Sequence, residues 1–175
     1  MTVQIGDMLI AGSAGSPPEP IRPALSVVAR NLHAEFDKIA PGKSKGHCIL
    51  CALTVRDFMR SIGIKSDVRS VVVTLVSPDY SARVGVETKS GWPGHLVAIA
   101  SDYLIDTTLF PAWNGPRGMF AVPLRGASVF IEPYTLTWFD NPNNDSWKST
   151  PDATNDKLRK KVVAALRREY ASNKG

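Results

Sequence analysis

The chain has 175 residues, 43% hydrophobic and 21% charged, the size and balance of one soluble globular domain able to bury a core. No apolar run approaches the roughly 20 residues of a membrane span, so no membrane partner is expected. The net charge of +5 is concentrated late: seven Lys/Arg against three Asp/Glu fall in residues 151–175, and the body is close to neutral. That distribution argues against nucleic acid as a partner, since only the C-terminal stretch offers a cationic surface.

Residues 1–23 read as a loosely structured N-terminal segment. Gly12-Ser13-Ala14-Gly15-Ser16-Pro17-Pro18-Glu19-Pro20 has a linker composition, and Pro20 and Pro23 are expected to delay any helix. A strand within residues 3–10 is only weakly indicated. No basic leader precedes Met8-Leu9-Ile10, so a secretory signal is not expected. Residues 24–39 predict a helix whose Leu25, Val28, Leu32, Phe36 and Ile39 recur at three and four, with Pro41-Gly42 ending it. His33 and Glu35 lie off that stripe and are expected to face solvent.

Lys43-Ser44-Lys45-Gly46 is a basic turn leading into a second helix, residues 48–62. Its Leu50, Leu53 or Thr54, Phe58 and Ile62 point inward, Arg56, Asp57 and Arg60 point outward, and Gly63 suits the left-handed position after a helix end. Residues 67–77 form a β-branched run bounded by Pro78, a buried strand. A polar loop follows over 79–94, within which Val84-Gly85-Val86 can pair briefly. Residues 95–100 and 103–106 then read as two strands joined by Ser101-Asp102, a tight hairpin. Residues 107–119 are loop. Residues 120–124 and 127–139 suggest further strands, with Pro133 marking an edge or bend. After a break at Asn141-Pro142-Asn143-Asn144-Asp145, residues 152–171 predict a basic amphipathic helix with Leu158, Val162, Ala165, Leu166 and Tyr170 on one side. Helices followed by strands and a last helix make the fold α+β.

The chemistry concentrates at Cys48. A cysteine opening a helix meets unpaired backbone N–H groups and the positive end of the helix dipole, which favour thiolate over thiol. A nucleophile also needs a base and a group to orient it. His95 begins one strand of the hairpin and Asp106 ends the other. Opposite residues on one face of such a pair lie roughly 5 Å apart, within reach of an imidazole–carboxylate bond. Cys48, His95 and Asp106 are therefore the candidate catalytic residues. Trp92, shortly before His95, and His47, next to Cys48, are the candidate substrate contacts.

Gly46-His47-Cys48-x-x-x-Ala52, with a helix ending Arg60-Ser61-Ile62-Gly63-Ile64, resembles the nucleophile segment of transglutaminase-like cysteine enzymes. His95-Leu-Val-Ala-Ile-Ala-Ser-Asp-Tyr-Leu-Ile-Asp106-Thr107-Thr108 is similar to the His-strand-turn-strand-Asp segment of the same superfamily. The resemblance covers roughly residues 44–110. It implies a papain-like fold, in which a cysteine-bearing helix packs on an antiparallel sheet carrying the histidine and aspartate. It implies a Cys48-His95-Asp106 triad that attacks an amide of a protein or peptide through an acyl-enzyme, as a peptidase, deamidase or transglutaminase, with no cofactor. On this division residues 24–140 are the transglutaminase-like domain. Residues 141–175 are a linker and basic helix packed on it.

Other readings of the same residues stand beside this one. Cys51, three residues on, is a second candidate nucleophile. His47-Cys48-x-x-Cys51 with His95 has a zinc-ligand spacing, although Ile49-Leu50 between the cysteines suits a helix core better than a metal knuckle. The chain can also be a non-catalytic papain-like module used for interaction or assembly. Two cysteines so close form no disulfide framework, and a cytoplasmic location is expected. Oligomeric state is left open.

Overall fold

The computed structural model describes residues 2–5, 8–11, 21–44, 46–85, 92, 94–108, 119–124, 128–131, 134–142 and 144–173. Helix α1 spans Ile21–Ile39 and α2 spans Cys48–Ser61. Among the described residues there are nine strands: β1 Thr2–Ile5, β2 Met8–Ala11, β3 Ser66–Ser77, β4 Tyr80–Val84, β5 His95–Ala100, β6 Tyr103–Asp106, β7 Met119–Pro123, β8 Ser128–Ile131 and β9 Tyr134–Asp140. A single 3₁₀ turn at Ser146–Ser149, a short α3 at Pro151–Thr154 and α4 at Asp156–Ser172 complete the order. Among the described residues no helix is long and apolar enough to cross a membrane.

The first helix begins three residues earlier than expected. Pro23 falls in its first turn, where a backbone N–H would have no intrahelical acceptor, so the missing donor costs nothing. The expected stripe is buried at Leu25, Val28, Leu32 and Phe36, but Ile39 is exposed. Glu35 is buried rather than solvent-facing, its carboxylate 2.6 Å from Lys38 Nζ.

The second helix is less one-sided than its pattern. Ile49–Val55, Phe58 and Met59 are all buried, because the sheet covers one side and α1 and α4 the other. Each fully buried Leu, Val or Phe contributes about 1.5–3 kcal/mol against exposure. Phe58 meets Tyr170 of α4 edge-on, with centroids 6.0 Å apart and planes at 81°. The helix ends as expected: Gly63 adopts φ +85°, and the Ile64 N–H turns back to Met59 O at 2.9 Å.

The strands form one sheet in the order β1-β2-β7-β6-β5-β3-β9-β8, with β4 added beside β3. All ladders are antiparallel except β2 with β7. The twelve-residue β3 holds it together, pairing through its first half with β5 and through its second with β9 and β4. The sheet curls until β2 and β8 approach each other. Its two faces carry different cores. Ala98, Ala100, Ile105 and Ala121 join the helices, whereas Val97, Leu104, Phe120, Val122, Leu136 and Trp138 fill the other face. The architecture is α+β with a curled, mainly antiparallel sheet.

Four sequence expectations change. The N-terminal segment contains two strands, of which β2 extends the sheet; residues 12–20 lie outside the described ones. The loop after β3 contains β4, paired from Val73↔Val84 to Ser77↔Tyr80. The strand run at 127–139 supplies two strands, β8 at the edge and β9 paired on both sides. The expected basic helix is cut at Asn155, whose side chain accepts from Leu158 N–H and so caps α4.

Candidate functional site

His95 and Asp106 are brought together by a hairpin whose turn is built from two left-handed residues, Ser101 at φ +46° and Asp102 at φ +64°. That geometry matches the right-handed strand twist. The register pairs Ala98 with Ile105 and Ala100 with Tyr103. Continued outward, it sets Asp106 opposite Val97, hence diagonal to His95 and not directly across. The imidazole spans the diagonal. Its Nε2 lies 2.6 Å from Asp106 Oδ2, and both residues are buried, at 3% and 2% exposure.

The other carboxylate oxygen is also engaged. Asp106 Oδ1 accepts from the Thr108 backbone N–H at 3.0 Å and from its hydroxyl at 3.5 Å. Gly85 closes the far side of the histidine: a Cβ there would come within 2.5 Å of Val71 O and 3.4 Å of His95 Cβ. At φ +101° only glycine fits that approach.

Cys48 opens α2 as a free, partly exposed thiol, and His47 before it makes no side-chain cap to the helix. It packs against a buried apolar cluster of Ile49, Ala52, Leu53 and Leu96, on which Val68, Trp92, Trp147 and Ala153 also pack. Cys48 lies close enough to His95 to act on its titration. Since Nε2 serves Asp106, Nδ1 is the nitrogen left for sulfur. Burial pushes the imidazole down, but the Asp106 carboxylate, its hydrogen bond, and the nearby Cys48 outweigh it and raise the pKa from 6.5 to about 10.

Cys51 sits differently. It is fully buried, with Sγ donating to Ser44 O at 3.5 Å, and burial followed by the charge of Cys48 pushes its pKa well above the usual thiol range. A deeply buried thiol held in this way is a poor nucleophile. Among the described residues no group of three or more His, Cys, Asp or Glu is placed to hold a metal ion.

Trp92 packs on the same apolar cluster as Cys48; its indole N–H donates to Asn144 Oδ1, and its ring lies over Gly94. His47 is not an unpartnered turn residue. Its Nδ1 is 2.6 Å from Asp152 Oδ2, and Lys43 Nζ is 3.6 Å from the other oxygen. The stretch read as a linker thus returns to the start of α2, bringing Trp147, Asp152 and Ala153 to the site. Single long-range polar partners of this kind leave no periodic trace.

His33 corrects the expectation most. It is partly buried, Nδ1 is 2.8 Å from Ser44 Oγ, and Nε2 is 2.7 Å from Thr107 O. The apolar stripe told which side of α1 faces the core, and a residue off that stripe can still meet a neighbouring loop.

No family model and no curated protein matches the chain. Among solved structures it is similar to the crystal structure of genomics APC5867, at a TM-score of 0.58 and 10% identity, over 82% of this chain and 77% of that one. At that identity the likeness concerns the fold alone: an α+β arrangement of helices on a curled sheet.

Proposed function

We propose that the chain is a thiol-dependent acyl-transfer enzyme acting on amide bonds of a protein or peptide, transglutaminase-like in chemistry and papain-like in fold, in a reducing cytoplasm. The observation that carries this reading is the cluster at the start of α2: a partly exposed Cys48 near enough to His95 to act on its titration, with His95 Nε2 2.6 Å from buried Asp106. The packing of α2 on β5 and β3 supports the papain-like layout. Two free cysteines support the compartment.

In this mechanism a protonated His95 beside the sulfur favours the thiolate, which attacks the amide carbonyl carbon. The oxyanion that forms is met by the Cys48 backbone N–H at the helix start, which has no intrahelical partner. His95 gives its proton to the leaving nitrogen, the C–N bond breaks, and a thioester remains on Cys48. Water or an amine then attacks that carbonyl while His95 takes the incoming proton, and the thiolate leaves. Asp106 holds His95 with one nitrogen toward sulfur throughout. Trp92 and Trp147 give the acyl group an apolar wall.

Iodoacetamide tests the relay without a substrate. At pH 7 it is expected to label Cys48 and spare Cys51 in the folded protein, with His95→Ala slowing Cys48 labelling by about tenfold or more. Equal rates in wild type and His95→Ala contradict the reading.

A further inference from the structure

We infer that His33 is a positioning residue for the Cys48-His95-Asp106 site, its two ring nitrogens tying the segment that leads to the nucleophile to the segment that carries the carboxylate. The inference rests on the proposed acyl transfer for its kinetic consequence only.

The two partners of His33 decide its role. Ser44 lies four residues before Cys48, and Thr107 directly follows Asp106. The distances, 2.8 Å to Ser44 Oγ and 2.7 Å to Thr107 O, make both true hydrogen bonds. A carbonyl only accepts, so Nε2 must carry a proton, and Nδ1 then accepts from the Ser44 hydroxyl in the neutral ring. One imidazole is thereby oriented by two segments that share no ladder.

A further bond holds the same serine. Ser44 O accepts from Cys51 Sγ at 3.5 Å, so Ser44 is tied to His33 by its hydroxyl and to α2 by its carbonyl. Cys51, Ser44, His33 and Thr107 thus form a chain of bonds from α2 to the segment after Asp106. Ser44 is 2% exposed and Thr107 6%, so water is a poor substitute for a lost member. Thr107 lies between Asp106 and Thr108, and the Thr108 N–H and hydroxyl fix Asp106 Oδ1. Displacing Thr107 therefore rotates the carboxylate away from His95. This gives the buried, non-reactive Cys51 a use as well: its thiol anchors the Ser44 carbonyl to α2.

The test reads His95 directly. Imidazole nitrogens are followed by ¹⁵N NMR against pH in wild type, His33→Ala and His33→Gln, alongside the rate of Cys48 acylation by a glutamine-containing peptide ester. In wild type His95 is expected to titrate at about 10. In His33→Ala the titration is expected to move toward 6.5, and acylation to fall by about tenfold or more with KM within about twofold. His33→Gln, whose amide can still donate to Thr107 O, is expected to recover most of both. Should His33→Ala fail to fold, Ser44→Ala removes only the Nδ1 partner and is expected to shift His95 in the same direction. An unchanged His95 titration in the variants that fold overturns the positioning role. A shifted titration with no adduct on Cys48 in any protein leaves the role standing and overturns the acyl-transfer reading instead.

Discussion

Asp106→Asn is expected to lower the rate of Cys48 acylation by roughly 10³–10⁴-fold while the protein remains folded. The reason is a count of acceptors. Asp106 presents Oδ2 to His95 Nε2 at 2.6 Å and Oδ1 to the Thr108 N–H at 3.0 Å, so both positions require an acceptor. An asparagine has one carbonyl oxygen, and its NH₂ must face a donor on one side or the other. If the oxygen stays with Thr108, the amide N–H points at Nε2 and forces the tautomer with its proton on Nδ1, toward sulfur. If it turns to His95, the buried Thr108 N–H is left opposite another donor, costing about 1–3 kcal/mol. Either arrangement damages the relay. The measurement is single-turnover acylation with an activated peptide ester, and a fall of less than about tenfold contradicts the role given to Asp106.

The second large effect concerns stability. His95 has its folded pKa raised from 6.5 to about 10, so the imidazolium is favoured by the native state. A raised pKa contributes stability that is fully present below the unfolded value and is lost as pH rises through the folded one. The urea midpoint is therefore expected to decline between pH 6.5 and about 10 more steeply in wild type than in His95→Gln. The comparison with His95→Gln isolates this group, since the rest of the chain is common to both proteins. The difference is bounded by a few kcal/mol, since each pKa unit is worth about 1.4 kcal/mol and the deeply buried pair does not deliver its full shift. Parallel curves for the two proteins contradict a His95 cation held by Asp106.

The elements that place the site were legible because each carries a local signal. Cys48 to Gly63 combines a helical stripe with a glycine stop, and the helix ends within one residue of its expected place. The run from His95 to Asp106 is two short apolar stretches around a two-residue turn, and both strands have their expected bounds. The diagonal offset was implicit in the same turn, since a two-residue loop pairs Ala100 with Tyr103 and so sets Asp106 opposite Val97, whereas the expectation takes His95 and Asp106 as facing residues.

What escaped detection depends on distance along the chain. His33 meets Thr107 across 74 residues, and His47 meets Asp152 across 105. No periodicity in α1 or in the 141–155 stretch encodes those encounters. The short β1 and β2 were underweighted for another reason: four residues each carry little pattern, although Gly6-Asp7 between two apolar runs is hairpin chemistry. Gly85 had a readable signal too. An isolated glycine beside a strand often marks close backbone approach, and here the approach is to Val71 and His95.

Acyl-enzyme capture addresses the central claim most directly. The protein is mixed with a panel of peptide esters and glutamine-containing peptides, quenched in acid, digested and read by mass spectrometry. The account predicts an acyl adduct on the peptide bearing Cys48, assigned to Cys48 and not Cys51 by fragmentation, and abolished in Cys48→Ala. An adduct on Cys51, or none on Cys48 with any member of the panel while iodoacetamide still labels it, contradicts the account.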